Sequence, residues 1–314
     1  PNEMHSMRII TLFAILAMSA PATAGLLTAL DQPQIDRTSA VLGVMGYTVV
    51  PDLTTSTLSI ASTDTGNPHL TMSQLAGGFT LSRESPLYME GGLAYSRYDP
   101  VFLFSNGGET TELALKWTSI MLTAGVGWDF RLSDHLILRP IANAAYGHLT
   151  SDVRFALRAL EKYTDATIEA LNNSQLDAAG YGGSLMLDYE DYRPSREIDI
   201  EWRYSHVRLE NIDSSELFTP TDSHSISTSL WARWRAPTGL TALHRPVRYV
   251  LEAAHSRFFG DQANIGFDAL NSLGIGLELD SSHYDIIVSR TRLVFRYRFG
   301  EDVEGTAVGL AVSF

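Results

Sequence analysis

The feature that most constrains this chain is an alternation of apolar and polar side chains, with a period of two residues, in many segments. Leu293, Phe295 and Tyr297 alternate with arginines, and near the end of the chain Val308 and Leu310 alternate with alanine and glycine. Successive side chains of a strand point to opposite faces, so each such segment predicts a strand with one apolar face. A strand of a soluble sandwich shows the same alternation, so the pattern alone does not say what the apolar face contacts.

About twelve segments of the chain show strand-like patterns and are bounded by turn residues. They are 53–62, 69–82, 87–98, 113–130, 135–148, 178–190, 197–208, 223–235, 246–258, 272–280, 284–299 and 304–314. The sequence therefore predicts an all-β, antiparallel fold.

The connections between these segments alternate in length. Short connections are predicted at 83–86, 131–134, 191–196 and 281–283, with a longer one at 236–245, whereas long connections cover 99–112, 149–177, 209–222 and 259–271. A transmembrane β-barrel of the outer membrane has short periplasmic turns and longer outer loops. The alternation therefore predicts a transmembrane antiparallel β-barrel, with the short connection near Gly300 as the exception.

The N-terminal region carries an export pattern. Met7 and Arg8 begin it, an apolar run covers 9–18, and Ala22-Thr23-Ala24 ends it. This layout predicts that residues 1–24 are upstream residues and a signal peptide cleaved after Ala24. Residues 25–48 are predicted to form a periplasmic extension or a plug in the lumen, and residues 49–314 the outer-membrane β-barrel.

One segment has helical rather than strand spacing. Between 152 and 175, Leu157, Leu160, Ile168 and Leu171 recur at intervals of three or four residues and their multiples. The direction of the strands places this helix in an extracellular loop. It could cap the barrel mouth, fold into the lumen or contact the lipopolysaccharide leaflet.

Composition limits the chemistry available to the chain. The formal charge of −13 argues against a nucleic-acid partner, and the absence of cysteine excludes disulfides. The histidines have no paired metal-ligand spacing, and no glycine loop suited to phosphate is present. We therefore expect no metal and no cofactor. Of the 23 cationic residues, only Lys116 and Lys162 are lysines. Arginine is the cation that forms forked pairs with carboxylates in confined space.

If the apolar faces meet lipid, the opposite faces place many charged residues in the lumen. The predicted lumen-lining residues are Arg139, Asp188, Glu190, Glu201, Arg203, Arg233, Arg235, Glu252, Arg290, Arg292, Arg296 and Arg298. They could line a pore that favours small anions, or they could pair with one another and fill a narrow barrel.

Two other hypotheses remain open. An outer-membrane hydrolase could use loop residues around Asp222 and His224, and a surface-binding protein could act through the 152–175 helix. Ser105-Asn106-Gly107 resembles one fragment of an outer-membrane phospholipase motif, but Phe102, Leu103 and Phe104 stand where its histidine belongs. We therefore predict no catalytic residue and no enzyme.

Several short segments of the sequence resemble those of the solitary outer-membrane autotransporter β-barrel family. They are Val49-Val50-Pro51-Asp52-Leu53-Thr54-Thr55-Ser56, Met72-Ser73-Gln74-Leu75, Pro86-Leu87-Tyr88-Met89-Glu90-Gly91, Ser96-Arg97-Tyr98-Asp99-Pro100-Val101, Gly127-Trp128-Asp129-Phe130 and Leu138-Arg139-Pro140-Ile141. The resemblance implies a translocator-like barrel without a passenger, and it implies a fold and a location rather than an activity. Phe314 resembles the C-terminal signal that the barrel-assembly machinery reads.

From these observations we expect a narrow or plugged pore or a structural membrane protein in the cell outer membrane. Its expected partners are outer-membrane lipid, lipopolysaccharide, the barrel-assembly machinery and small anions.

Overall fold

The computed structural model describes most of the chain. The described residues are 11–13, 22–24, 37–51, 57–62, 69–82, 84–99, 101–106, 109–114, 116–152, 175–214, 221–261, 268–281, 290–300 and 303–313. The predicted 152–175 helix and Phe314 lie outside them, apart from Asp152 and Gln175 at the ends of two strands. No helix among the described residues is both long enough and apolar enough to cross a membrane.

The described part of the chain consists of strands and a single helix. The helix α1 is Arg37–Gly46, and it follows two short strands, β1 (Thr11–Phe13) and β2 (Ala22–Ala24). The further strands are β3 (Thr57–Ser62), β4 (His69–Thr80), β5 (Leu87–Asp99), β6 (Val101–Asn106), β7 (Glu109–Ala114), β8 (Lys116–Trp128), β9 (Phe130–Arg131), β10 (Leu136–Asp152), β11 (Gln175–Arg193), β12 (Arg196–Ser214), β13 (Asp222–Ala242), β14 (Arg245–Phe258), β15 (Ala269–Asp280), β16 (Arg290–Gly300) and β17 (Val303–Ser313).

One curled sheet contains nearly all of these strands. Its order runs β17, β16, β15, β14, β13, β12, β11, β10, β8, β5, β4 and β3, with every neighbouring pair in that order antiparallel. The two ends of this order, β17 and β3, come close to each other. The three residues of β1 pair with two residues of β17 and three of β4, but they belong to the predicted signal peptide, so the barrel assignment does not depend on them. A sheet in a membrane requires its end strands to meet, because lipid cannot hydrogen-bond an unpaired edge.

Each of the twelve predicted segments contains a strand of this sheet, so the predicted antiparallel fold is confirmed. Several strands are longer than predicted. The predicted connection 236–245 is largely strand, because β13 continues to Ala242 through a bulge after Pro237. The turn that follows is Leu243 and His244, with φ angles of 51° and 61°. Two successive positive φ values match the right-handed twist of a tight hairpin. The predicted loop 99–112 contains the separate hairpin of β6 and β7.

The distribution of side chains is the reverse of that in a soluble protein. On the outer face of β15, Leu273 is 54% exposed and Ile275 is 62% exposed. On the inner face, Glu278 is 0% exposed and Arg292 of the neighbouring β16 is 2% exposed. Alternation of apolar residues outward and charged residues inward is the pattern of a barrel surrounded by lipid. The apolar faces of the predicted strands therefore point outward.

Three central strands are longer than a membrane needs. β11 and β12 have 19 residues each and β13 has 21, whereas about 9–11 residues cross the hydrocarbon core. The outer face of β12 is apolar from Ile198 to Tyr204 and then polar at His206, Arg208 and Glu210. We infer that the end of the barrel opposite the short turns projects beyond the lipid.

A charge placed on the apolar outer face is expected to destabilise the barrel in membranes. Ile275→Arg is expected to cost about 2–4 kcal/mol of unfolding free energy, because Ile275 lies at the middle of β15. Leu240→Arg is the matched control, since Leu240 is also exposed but lies beside the Leu243–His244 turn. Denaturant titration in lipid vesicles measures both costs. Equal costs at the two positions would contradict the assignment of the lipid-facing band.

Candidate functional site

The lumen of the barrel holds an apolar level and a charged level. In the apolar level, Leu42 and Met45 of α1 are fully buried, and Val49 and Val50 follow them. They pack in one cluster with residues from β5, β8, β10, β11 and β12. The wall residues of this cluster are Ala94, Trp117, Met121, Leu149, Leu176, Ala178, Val207 and Leu209. The described end of α1 therefore packs against inner-face residues of five strands, and a lumen plug formed by residues 25–48 stays a prediction.

Polar contacts fix the end of α1 to two sides of the wall. Gln74 of β4 donates from its Nε2 to the carbonyl oxygens of Thr48 and Val50, both at 3.1 Å. Ser225 of β13 donates from its Oγ to the carbonyl oxygen of Gly46 at 2.8 Å. These bonds satisfy backbone acceptors at the point where the helix ends, where its own ladder leaves carbonyls free. The segment 45–50 is held by specific bonds as well as by apolar burial.

The charged level lies nearer the short turns. The structure places nine of the predicted lumen residues in buried positions and three, Asp188, Glu190 and Glu201, in half-buried positions, all on the inner face of their strands. The nine buried residues are Arg139, Arg203, Arg233, Arg235, Glu252, Arg290, Arg292, Arg296 and Arg298. Their role in conduction stays a prediction.

A first group of ion pairs crosses between β5 and β12. Arg203 contacts both carboxylate oxygens of Glu90, at 2.6 and 2.9 Å. Asn143 donates to the same carboxylate at 2.8 Å, and Ser184 donates to Asn143 at 2.5 Å. Three strands separate β5 from β12 in the sheet order, so this forked pair joins two strands that are not neighbours in the sheet.

A second group centres on Arg139. Its Nε donates to Asp129 at 2.5 Å, and its guanidinium lies 4.0 Å from the centre of the Tyr88 ring. Thr80 donates to the other oxygen of Asp129 at 2.7 Å, and Asp188 lies 3.4 Å away from Arg139. Asp129 follows the last residue of β8, and its side chain points inward, as the alternation along that strand requires.

A third group joins β12 to β16. Arg290 donates to Glu197 at 2.8 Å, although three strands separate β12 from β16. Arg235 contacts Asp199 at 2.8 Å and Glu197 at 3.0 Å, and Arg248 contacts Glu197 as well. Six buried acids of the charged level were missing from the predicted lumen set: Glu90, Asp129, Glu197, Asp199, Glu278 and Asp280. Each of these acids lies at an inward position of the alternating pattern of its strand, and that alternation could have predicted that it faces the lumen.

The outer rim holds the residues of the hydrolase hypothesis. His224 Nε2 lies 3.5 Å from Asp222, and His224 Nδ1 lies 3.1 Å from His206 Nε2. Ser223 is 1% exposed and faces the lumen, on the opposite face from this pair. The arrangement is an Asp–His pair on the outer face, without the serine that stands beside it in the sequence. Among the residues that the structure describes, no group of acidic or histidine side chains could hold a metal ion.

The Glu90–Arg203 pair offers a test of the charged level. Glu90→Gln leaves a buried guanidinium without its counter-charge and is expected to cost about 3–5 kcal/mol of unfolding free energy. Adding Arg203→Met should restore much of that loss, since both charges are then gone. The control is Asp268→Asn, which removes a partner of Arg257 at 3.9 Å on the exposed rim and should cost less than about 1 kcal/mol. A double variant as unstable as Glu90→Gln alone would contradict the assigned pairing.

Comparison with known proteins finds similarity only among solved structures. No model of a protein family matches the chain, and no curated protein matches it. The solved structures that match include the translocator domain of the autotransporter NalP from Neisseria meningitidis, at 12% identity and a TM-score of 0.41, covering 79% of this chain and 82% of that one. The β domain of the Bordetella autotransporter BrkA matches at 11% identity and a TM-score of 0.46, covering 79% and 91%. The toluene transporter TodX from Pseudomonas putida matches at 14% identity and 0.34, covering 78% and 84%.

At these identities and TM-scores the likenesses carry no argument about family or activity. The assignment to a membrane depends on the curled antiparallel sheet and on the inverted placement of charges. The chain is therefore an antiparallel outer-membrane β-barrel, similar in architecture to the translocator domains of autotransporters.

Proposed function

We propose that this protein is a plugged outer-membrane barrel, closed at rest by α1. The observation that carries the proposal is the dry apolar cluster around Leu42 and Met45, which touches wall residues on several strands at one level of the lumen. An apolar constriction stops ions because they must shed their water to pass it.

The way in which the helix is attached supports a removable plug rather than a fixed core. Its described polar contacts to the wall come from Gln74 and Ser225, beside the apolar packing. Each neutral hydrogen bond contributes about 1 kcal/mol, and each buried Leu or Met contributes about 1.5–3 kcal/mol. Since α1 is joined to the wall by these few groups, it can leave without breaking the strand ladder. Export by a cleavable signal and contact with lipopolysaccharide belong to the same proposal.

Disrupting the apolar level should open the barrel. In a planar bilayer, the purified protein is expected to show no steady conductance, and Leu42→Asp with Met45→Asp should produce steady channels. Each carboxylate would have to be buried without a partner if α1 stayed in place, which is costly. Leu42→Met keeps the volume and polarity and serves as the control that should stay closed. Closed behaviour of the Asp double variant, in protein that retains heat-resistant barrel mobility on gels, would contradict the plug.

A reversible cross-link tests whether the helix itself blocks the lumen. The chain has no cysteine, so Gly46→Cys with Ser225→Cys introduces a single pair where Ser225 Oγ and the Gly46 carbonyl oxygen lie 2.8 Å apart. We expect the disulfide to form on oxidation and to suppress any voltage-induced opening until a reductant is added.

The control for the cross-link is Gly46→Cys with Ser133→Cys, because Ser133 lies in the exposed turn between β9 and β10. This pair should not form a disulfide. Equal conductance from the oxidised and reduced Gly46–Ser225 variants would leave the barrel without a helical plug and would favour a purely structural role.

A further inference from the structure

The short turn between β11 and β12 carries two exposed arginines that share one carboxylate. Arg193 and Arg196 are register partners on either side of this turn. Arg193 Nε donates to one oxygen of Asp191 at 2.9 Å, and Arg196 Nη2 lies 3.6 Å from the other oxygen. The charged groups that act most strongly on Asp191 are these two arginines and His135. Because the arginine side chains are 58% and 44% exposed and that of Asp191 is 4% exposed, the cluster presents positive charge to its surroundings.

An open groove of about 500 Å³ lies on the outer face of β12–β15. Its floor is formed by Ala232 and Ala253, which are register partners on β13 and β14. The larger side chains of Ile200 and Leu273 continue the same row on β12 and β15. Because the two alanines end at Cβ, the surface is depressed in the middle of the row. The outward-facing side chains that line the groove are all apolar, so its contents must be apolar too.

The groove and the arginine pair adjoin at the edge of the lipid-facing band. Ile198 lines the groove, and its register partners are Asp191 on one side and Trp234 on the other. Arg196 precedes Ile198 by two residues on the same outward face, which is roughly 7 Å along a strand. Tryptophan is enriched where hydrocarbon meets the head groups. Trp234 therefore marks the level at which a lipid head group would lie beside the two arginines.

We infer that the arginine pair and the groove together bind one anionic phospholipid of the leaflet at the short-turn end. Its phosphate contacts Arg193 and Arg196, and one acyl chain occupies the groove. Arginine is suited to this because its planar fork contacts two phosphate oxygens at once. Basic groups next to apolar surface are also how membrane proteins select anionic lipids. The site goes beyond the proposed plug, since it lies on the outer face and does not depend on whether α1 closes the lumen.

Lipid binding is measured by native mass spectrometry of the purified full chain, titrated with phosphatidylglycerol or with phosphatidylcholine of the same acyl chains. We expect phosphatidylglycerol to bind at least about tenfold more tightly, which corresponds to about 1.4 kcal/mol. Arg193→Gln with Arg196→Gln should abolish this preference and leave the affinity for phosphatidylcholine unchanged. The control is Arg131→Gln, which removes an exposed arginine at the same end of the barrel but away from the groove, and it should preserve the preference.

A second variant tests the groove separately from the charge. Ala253→Leu fills the groove and should weaken both lipids by a similar factor, whereas Ala144→Leu, on the outer face of β10, should weaken neither. Equal affinity for the two lipids in the unchanged protein, or equal effects of the two leucine variants, would overturn the site. Competition by glycerol 3-phosphate would assign the arginines to a free phosphate instead of a lipid. A lipid-free dimer that Ala253→Leu dissociates would place a second copy in the groove, and either result would also overturn the inference.

Discussion

The structure depends on the fact that its outer surface offers no partner for a polar group. Hydrocarbon cannot accept or donate hydrogen bonds, so every backbone group of the spanning strands must pair within the sheet, and the sheet must close. The same constraint sends charged side chains to the inner face. Leu273, Ile275 and Leu277 are therefore exposed while Glu278 is fully buried one residue later on the same strand.

Charged side chains confined to a narrow lumen must then form ion pairs and hydrogen bonds with one another. The choice of arginine follows from this, because its planar fork contacts two carboxylate oxygens at once and stays charged when buried. Arg203 with Glu90 and Arg296 with Glu252 show the consequence, since each pair joins strands that are not neighbours. The pairs brace the curled sheet from within, where a soluble protein would use an apolar core. Breaking one partner is costly, whereas a pair adds little beyond what matched apolar residues would.

The apolar level has a different role, at the end of the barrel away from the short turns. There the inner faces of β10–β12 carry Leu149, Leu176, Val207 and Leu209, which have no lipid to meet and would contact water in an open lumen. The helix α1 covers them. Its burial removes apolar surface from water on both the helix and the wall, and this gives the plug a driving force independent of the charged level.

The sequence by itself determined the strands and their faces, because a period of two is a local property of consecutive residues. Arg290, Arg292, Arg296 and Arg298 could be assigned to one inner column without any structure, and so could the inward positions of Glu201 and Arg203. Only the tertiary structure decided which charges pair and where α1 lies. Glu90 and Arg203 are 113 residues apart, and their contact exists because the curl of the sheet brings strands together that are not neighbours. The short helix, apolar from Ala40 to Met45, fitted a plug or an extension equally well, and the apolar wall that it contacts is assembled from five different strands.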